Sequence, residues 1–130
     1  MIRFLLLSIL FMSALPALAD EPQEDQAVRC LMGEARGESY QAIIAHAEAY
    51  RNRFARYGKV WGVDGCKWRG QEPAWAWERV RKAWRESAGT NLVNGADHWY
   101  ADYIKAPAWT LAPAVMTAKF GKTRFYKGVK

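Results

Sequence analysis

The chain has 130 residues, of which 51% are hydrophobic and 25% are charged, and its formal net charge is +6. This length is typical of one domain around one hydrophobic core, and no internal repeat or low-complexity tract divides it. The positive charge favours an anionic partner, and the lack of a nucleic-acid recognition motif excludes nucleic acid as the leading candidate.

The first nineteen residues have the three parts of a secretory signal. Arg3 precedes an apolar run over residues 4–12, and residues 17–19 form a small-x-small cleavage site. The apolar run is shorter than the roughly 20 residues that a membrane-spanning helix needs. We therefore expect cleavage before Asp20 and export to the periplasm or the extracellular space, with an uncleaved membrane anchor as the alternative.

An acidic, polar stretch over residues 20–26 predicts a flexible lead-in to a domain over residues 27–130. Four of the thirteen acids lie in this stretch, so residues 26–130 hold nine acids against eighteen bases. The folded part is therefore more basic than the whole chain. This surplus favours the anionic polymers of the cell wall, or membrane head groups, as partners of an exported protein.

Three helices are predicted in chain order. Apolar residues recur with helical period over residues 27–38, where Gly37 would end the first helix. Ser39 is a suitable N-cap for a second helix, and Pro73 suits the first turn of a third helix that Gly89 would end. The apolar faces of the second and third helices consist of Ile43, Ala47, Tyr50 and Phe54, and of Trp77, Val80, Trp84 and Ala88.

The remaining segments show little strand pattern. Residues 57–71 contain four glycines with aromatic residues between them, and predict a long irregular loop. Asn94-Gly95 indicates a turn, so we expect a small hairpin near residues 93–103. The fold class is therefore mainly α, or α+β, with one small hairpin in a single domain.

A pair of glutamates lies near the end of the first predicted helix. Glu34 and Glu38 are four residues apart and would share a helix face. Glu34 would also border the apolar stripe, where loss of solvation raises the pKa of a carboxyl and keeps it protonated for general acid catalysis. The alternative is an ordinary surface glutamate that pairs with Arg36 or with another base.

The two cysteines, Cys30 and Cys66, would meet an oxidising compartment after export. A disulfide is therefore expected, and two free buried thiols are the alternative. Neither cysteine has the short spacing to His46 or His98 that metal ligands show. We expect no metal, no organic cofactor and a monomeric protein.

The segment over residues 33–38, Gly-Glu-Ala-Arg-Gly-Glu, is followed after thirteen residues by Asn52-Arg53. This pattern resembles the opening motif of the SleB-type cell wall hydrolases, which are known from spore cortex lysis. Less specific similarities follow in the family's order, and the resemblance extends from about residue 27 to residue 127. They are Cys66, residues 94–96, Trp99-Tyr100, Trp109, Gly121 and Phe125-Tyr126.

The resemblance implies a lysozyme-like fold and cleavage between N-acetylmuramic acid and N-acetylglucosamine in peptidoglycan. Family members are thought to act as lytic transglycosylases, and the position that matches their acid and base is Glu34. No second carboxylate is then needed opposite it. Glu38 would support catalysis, and the candidates for substrate binding are Arg36, Asn52, Asn94, His98, Trp99, Tyr100 and Trp109.

Several positions depart from the family pattern. Thr123 stands where many members carry a histidine, and Ala42, His46 and Ala49 replace a glycine and two valines on the second helix. His98 could take over the role of the missing histidine. A wall-binding protein that has lost catalysis is therefore the main alternative function, and a peptide-releasing amidase is a weaker one because such enzymes commonly use zinc.

Aromatic residues in and beside the loop could line a glycan groove or could pack in the core. Asn52 and Asn94 could likewise bind acetamido groups or brace the backbone. These alternatives stay open in the sequence. The loop tryptophans concerned are Trp61, Trp68 and Trp75.

Overall fold

The computed structural model of the protein describes residues 21–130. Three helices are followed by an antiparallel three-stranded sheet, in the order α1 (Glu24–Ala35), α2 (Tyr40–Tyr57), α3 (Ala74–Glu86), β1 (His98–Ala101), β2 (Val115–Phe120) and β3 (Thr123–Lys127). The predicted secretory signal lies outside the described residues. No helix within residues 21–130 is long and apolar enough to cross a membrane.

Helix α1 begins earlier than the sequence predicts. The predicted lead-in extends to residue 26, whereas Glu24 and Asp25 already form the first turn of the helix. Both carboxylates bind Arg81, at 2.8 and 2.9 Å, and Glu24 also binds Arg85 at 2.9 Å. Acidic side chains favour the first turn of a helix, and α3 supplies the positive charges that hold these two in place.

Helix α1 also ends earlier than predicted, at Ala35 instead of near Gly37. Residues 36–38 form a turn, so Glu38 does not share a helix face with Glu34, and that prediction is wrong. Ser39 is the N-cap of α2, as expected, because its side-chain oxygen accepts the N–H of Ala42 at 3.2 Å. The turn over residues 36–38 thus leads directly from α1 to the N-cap of α2.

The hydrophobic core lies between the three helices. The apolar stripes of α1 and α2 are buried, and the indole of Trp84 on α3 meets the ring of Tyr50 edge-on at 5.7 Å. A second cluster joins α2 to the sheet, where Phe125 is fully buried. Since α2 contacts both clusters, it fixes the sheet relative to the helices.

The sheet corrects the predicted hairpin near residues 93–103. Only β1 falls in that region, and it pairs with β3, so that Trp99 lies opposite Phe125 and His98 opposite Tyr126. The hairpin of the fold is formed by β2 and β3, which gives the strand order β1-β3-β2. Asn94 does form a turn, with a φ of 50°, but this turn leads into β1 and does not connect two paired strands.

The loop between α2 and α3 is joined covalently to α1. Cys30 and Cys66 form a disulfide, and residues Asp64–Lys67 form a short 3-10 helix beside it. A Cβ atom at Gly33 would lie 2.1 Å from the carbonyl oxygen of Gly65, and one at Gly65 would lie 2.5 Å from Cγ of Glu34. The two backbones can therefore meet only because both positions are glycine.

Candidate active site

A cavity of about 590 Å³ opens between the last turn of α1, the loop that follows α2 and the strand β1. Its volume lies within the range that is typical of small-molecule sites. Glu34 lies on one wall, and aromatic side chains contribute much of the rest. The aromatic residues that line the cavity are Trp61, His98, Trp99, Tyr100, Tyr103 and Trp109.

Glu34 is half-buried on the cavity wall. Its Oε1 accepts the backbone N–H of Gly65 at 3.0 Å. Burial raises the pKa of Glu34 above its usual value of 4.5, while hydrogen bonding from Gly65 and from the Trp99 side chain opposes the rise. A carboxyl in this state can give up a proton and is then stabilised as a carboxylate by the same two donors.

Arg53 also lines the cavity, and its guanidinium stacks over the ring of Trp99 at 4.2 Å. Its Nε donates to the backbone oxygen of Asp97 at 2.8 Å, and its Nη1 donates to that of Trp61 at 3.2 Å. Arg53 thus connects α2, the loop and the entry to β1. Its positive charge also favours the ionised form of Glu34.

His98 is held on the cavity wall by its neighbour Asp97. The Nδ1 of His98 lies 2.7 Å from Oδ1 of Asp97, and Oδ2 of that buried carboxylate accepts from Nη1 of Arg56 at 2.9 Å. The imidazole also lies between the rings of Tyr57 and Trp109, at centroid distances of 6.2 and 5.1 Å. The ring is therefore fixed in orientation by both charge and packing.

Two solved structures are similar to this chain. The catalytic domain of the Bacillus cereus SleB protein has a TM-score of 0.60 and 20% identity, over 83% of this chain and 93% of that chain. The catalytic domain of the germination-specific lytic transglycosylase SleB from Bacillus anthracis has a TM-score of 0.57 and 20% identity, over 87% and 100%. This chain has the fold of the SleB catalytic domains. No protein-family model and no curated protein matches its sequence.

The SleB fold confirms the mainly helical, lysozyme-like class that the sequence resemblance implied. It also accommodates the departures on α2. His46 is fully buried, its Nδ1 donates to the carbonyl of Ala42 at 2.8 Å, and burial lowers its pKa. Thr123 is buried on β3 opposite Ala101, which lines the cavity. Both residues thus occupy packed positions next to the candidate site.

Part of the predicted substrate-binding set comes together in this candidate site. Four of its members line the cavity that contains Glu34: His98, Trp99, Tyr100 and Trp109.

The other three members lie elsewhere. Arg36 binds Glu72 at 2.8 Å and stacks on Trp68 at 4.7 Å. Asn52 donates to the carbonyl of Ala96 at 2.8 Å, and Asn94 is an exposed turn residue. None of the three lines the cavity: Arg36 and Asn52 hold other parts of the chain, and Asn94 lies at an exposed turn.

Glu38 does not line the large cavity either. It borders a shallower depression formed by residues 33–38, and its backbone oxygen accepts from Arg79 at 3.0 Å. Its carboxylate lies against Gly121, where an added Cβ would be 2.9 Å from Oε2. Within residues 21–130 Glu38 forms no salt bridge with Arg36, which pairs with Glu72.

The three loop tryptophans have different environments. Trp61 is half-exposed and lines the cavity, whereas Trp68 packs against Trp77 at 5.7 Å. Trp75 is 67% exposed and lies on α3, away from the cavity. Only Trp61 can therefore contact a ligand beside Glu34.

Sequence reasoning missed three residues of the site: Arg53, Gly65 and Asp97. Arg53 belongs to the Asn52-Arg53 pair of the opening motif, so the motif already contained a signal for it. Gly65 precedes Cys66, and Asp97 precedes His98, but nothing in the local pattern shows what their backbone or side chain contacts. Their contacts span 31 residues to Glu34 and 41 residues to Arg56.

Proposed function

We propose that this chain is an exported peptidoglycan-cleaving glycosidase. It acts as a lytic transglycosylase that cuts the bond between N-acetylmuramic acid and N-acetylglucosamine, with Glu34 as general acid and then general base. The observation that carries this proposal is a half-buried carboxyl with a raised pKa on the wall of an aromatic-lined cavity.

The chemistry needs one proton donor. Protonated Glu34 gives its proton to the bridging glycosidic oxygen, and the bond from that oxygen to the anomeric carbon breaks, with its electron pair going to the oxygen. The resulting carboxylate accepts hydrogen bonds from Gly65 and from the Trp99 side chain. It then removes the proton from the 6-hydroxyl of the muramic sugar, whose oxygen attacks the anomeric carbon and closes an anhydro ring.

The aromatic walls suit a sugar chain. Indole faces stack against the apolar faces of sugar rings, and Trp61 and Trp109 line the cavity with part of their surface accessible. Arg53 is stacked behind Trp99 and keeps that indole in place beside Glu34. The groove therefore combines a proton donor with surfaces that can orient the sugar around it.

The positive charge and the disulfide support an exported location. Residues 26–130 carry nine more bases than acids, which favours the anionic cell wall. The disulfide between Cys30 and Cys66 is typical of exported proteins. The two solved SleB structures, one of which is named a lytic transglycosylase, support the same reaction class.

The second candidate is a wall-binding protein on the same fold without catalysis. Thr123 favours it, because a histidine is common at this position in the family that the sequence resembles. The same aromatic cavity and basic surface would then supply affinity alone.

The test is a digestion of intact peptidoglycan by the purified exported protein. Glu34→Gln is compared with wild type and with the matched control Glu38→Gln, because Glu38 lies in the same sequence motif but outside the cavity. We expect anhydromuropeptides from wild type and from Glu38→Gln, and only a trace of them from Glu34→Gln. Mass spectrometry of the released fragments identifies the bond.

Other outcomes decide between the candidates. Binding to the wall without release by wild type would support the inactive binding protein. Products with free reducing ends would replace transglycosylation by hydrolysis, with Glu34 still the acid. Full activity of Glu34→Gln would overturn the catalytic assignment.

A further inference from the structure

Asp97 and Arg56 together determine the hydrogen-bonding state of His98. Asp97 is buried and accepts from Arg56 through Oδ2, and a carboxylate paired in this way can only accept from His98 through Oδ1. The Nδ1 atom of a neutral His98 must therefore carry the proton. Its Nε2 atom is left as an acceptor.

The free nitrogen of His98 is accessible. Nε2 has no hydrogen-bond partner within residues 21–130, and it is not among the fully buried polar atoms that lack a partner. His98 lines the same cavity as Glu34. The described part of the protein thus presents a fixed acceptor to whatever binds beside the acid.

We infer that Asp97 and Arg56 are positioning residues whose role is to present Nε2 of His98 as the acceptor for a hydrogen-bond donor of the bound sugar. This inference rests on the proposed function. The donor is a hydroxyl or an acetamido N–H of the glycan, since these are the groups of an N-acetylated sugar that can donate to an imidazole nitrogen.

The first experiment replaces the imidazole by amides of two lengths. The amide oxygen of His98→Gln can reach the position of Nε2, whereas the shorter amide of His98→Asn reaches only the position of Nδ1. We expect His98→Gln to keep most of the wild-type kcat/KM on soluble glycan strands. His98→Asn should lose roughly tenfold, because the sugar donor is left without its partner.

The second experiment exchanges the donor and acceptor nitrogens of the His98 ring. In Asp97→Asn, Arg56 continues to donate to the side-chain oxygen, which turns the new amide NH₂ toward His98. Nδ1 must then accept, so the proton moves to Nε2 and the acceptor becomes a donor. Nitrogen-15 NMR of the imidazole should show protonated Nδ1 in wild type and protonated Nε2 in Asp97→Asn, together with a fall in kcat/KM at unchanged fold.

The source of the donor follows from the substrate. If the cost of His98→Asn disappears on a glycan that carries 2-O-acetyl in place of 2-acetamido, which keeps the carbonyl and removes the N–H, the donor is the acetamido N–H, and if the cost persists, the donor is a hydroxyl. Both results support the acceptor role.

Equal rates for His98→Gln and His98→Asn, or protonated Nε2 in wild type, would overturn the inference. Failure of the proposed function is distinguishable, since it would appear as wall binding without release by wild type or as full activity of Glu34→Gln. The NMR comparison needs no activity at all.

Discussion

Two glutamates of this fold are anchored in the same way and differ in what faces their free side. Glu34 on α1 accepts the backbone N–H of Gly65 at 3.0 Å, and Glu48 on α2 accepts that of Val93 at 3.0 Å. In both regions a helix thus holds a distant loop through one carboxylate. The second oxygen of Glu48 also accepts from the hydroxyl of Thr90, and the residue is only 3% exposed.

The difference between these regions shows which surroundings suit a carboxyl for the proposed acid role. Glu48 has a donor at each oxygen and borders a cavity of only about 150 Å³ without aromatic lining, whereas Glu34 has one side on an aromatic-lined cavity of about 590 Å³. Burial and a backbone hydrogen bond are therefore common to the structural acid and to the proposed catalytic acid. The open side and its aromatic walls distinguish the second kind.

The largest expected effect is that the two glutamine variants lose different properties, activity in one case and stability in the other. Glu34→Gln should lower the rate of peptidoglycan cleavage by about 10³-fold, because general acid catalysis contributes on the order of 10² to 10⁴. Glu48→Gln should keep the rate and lower the free energy of unfolding by about 1–3 kcal/mol, because an amide cannot accept from both donors. Activity assays and thermal unfolding measure the two effects.

Loss of activity in Glu48→Gln with an unchanged Tm would contradict the distinction between a catalytic Glu34 and a structural Glu48. In that case Glu48 would contribute to the reaction despite its enclosure.

The Glu34 region is held covalently, whereas Glu48 holds its loop by hydrogen bonds alone. Replacing Cys30 and Cys66 by alanine should lower the free energy of unfolding by about 4 kcal/mol, because the bond closes a loop of 36 residues. We expect reductant to lower the Tm of wild type in the same way. A Tm that does not respond to reductant would mean that the loop is held to α1 without the disulfide.

Gly65 offers a smaller disturbance of the same region. An added methyl group would lie 2.5 Å from Cγ of Glu34 and 2.6 Å from its backbone nitrogen, so Gly65→Ala must push the loop away from the acid. We expect a loss of about 1–3 kcal/mol of stability and a fall in cleavage rate of roughly tenfold or more. Gly37→Ala is the matched control, since nothing lies within 4 Å of its added carbon. Equal effects of the two variants would contradict the proposed contact.

The pH dependence sharpens the assignment of the acid. Because burial raises the pKa of Glu34, its protonated form persists above the usual value of 4.5. The reaction needs that form, so kcat/KM should fall about tenfold per pH unit once the pH exceeds the raised pKa. A pH profile of wild type shows this alkaline limb, which the residual activity of Glu34→Gln should lack. An alkaline limb retained in that variant would assign the titration to another group.

The smallest expected effect concerns the turn beside Glu48. Asn94 follows Val93 and has a φ of 50°, a conformation that glycine adopts freely and alanine does not. Asn94→Ala should therefore lower the stability by about 1 kcal/mol, while Asn94→Gly should not. Cleavage by Asn94→Gly at the wild-type rate would show that the amide serves the turn; a fall in its rate with unchanged Tm would instead restore a role in substrate binding.

Local periodicity predicted much of the helical part of the fold. The stripes that identify α1 and α2 depend on residues three and four apart, which the chain itself brings together. The environment of Glu34 followed from the same spacing, because Cys30 and Leu31 lie on its face and are buried.

The sheet and part of the site depend on contacts that no local pattern contains. Strand β1 pairs with β3, whose residues lie 22 to 28 positions further along the chain. The sequence therefore indicated a turn at Asn94-Gly95 but not which strands pair. Arg53 reaches its partners near β1 in the same way, over 44 residues to the oxygen of Asp97. Such contacts become visible only when the elements have packed.

The glycine contact between α1 and the loop limits how this groove can vary. At Gly33 and Gly65 two backbone segments touch without a side chain between them, so this part of the wall has no side chain that a substitution could change in size. Changes in the width or the sugar preference of the groove must therefore come from its outer rims. Trp61 on one rim and Tyr103 and Ile104 on the other are exposed, and libraries directed at these three positions would reshape the groove while leaving the acid where it is.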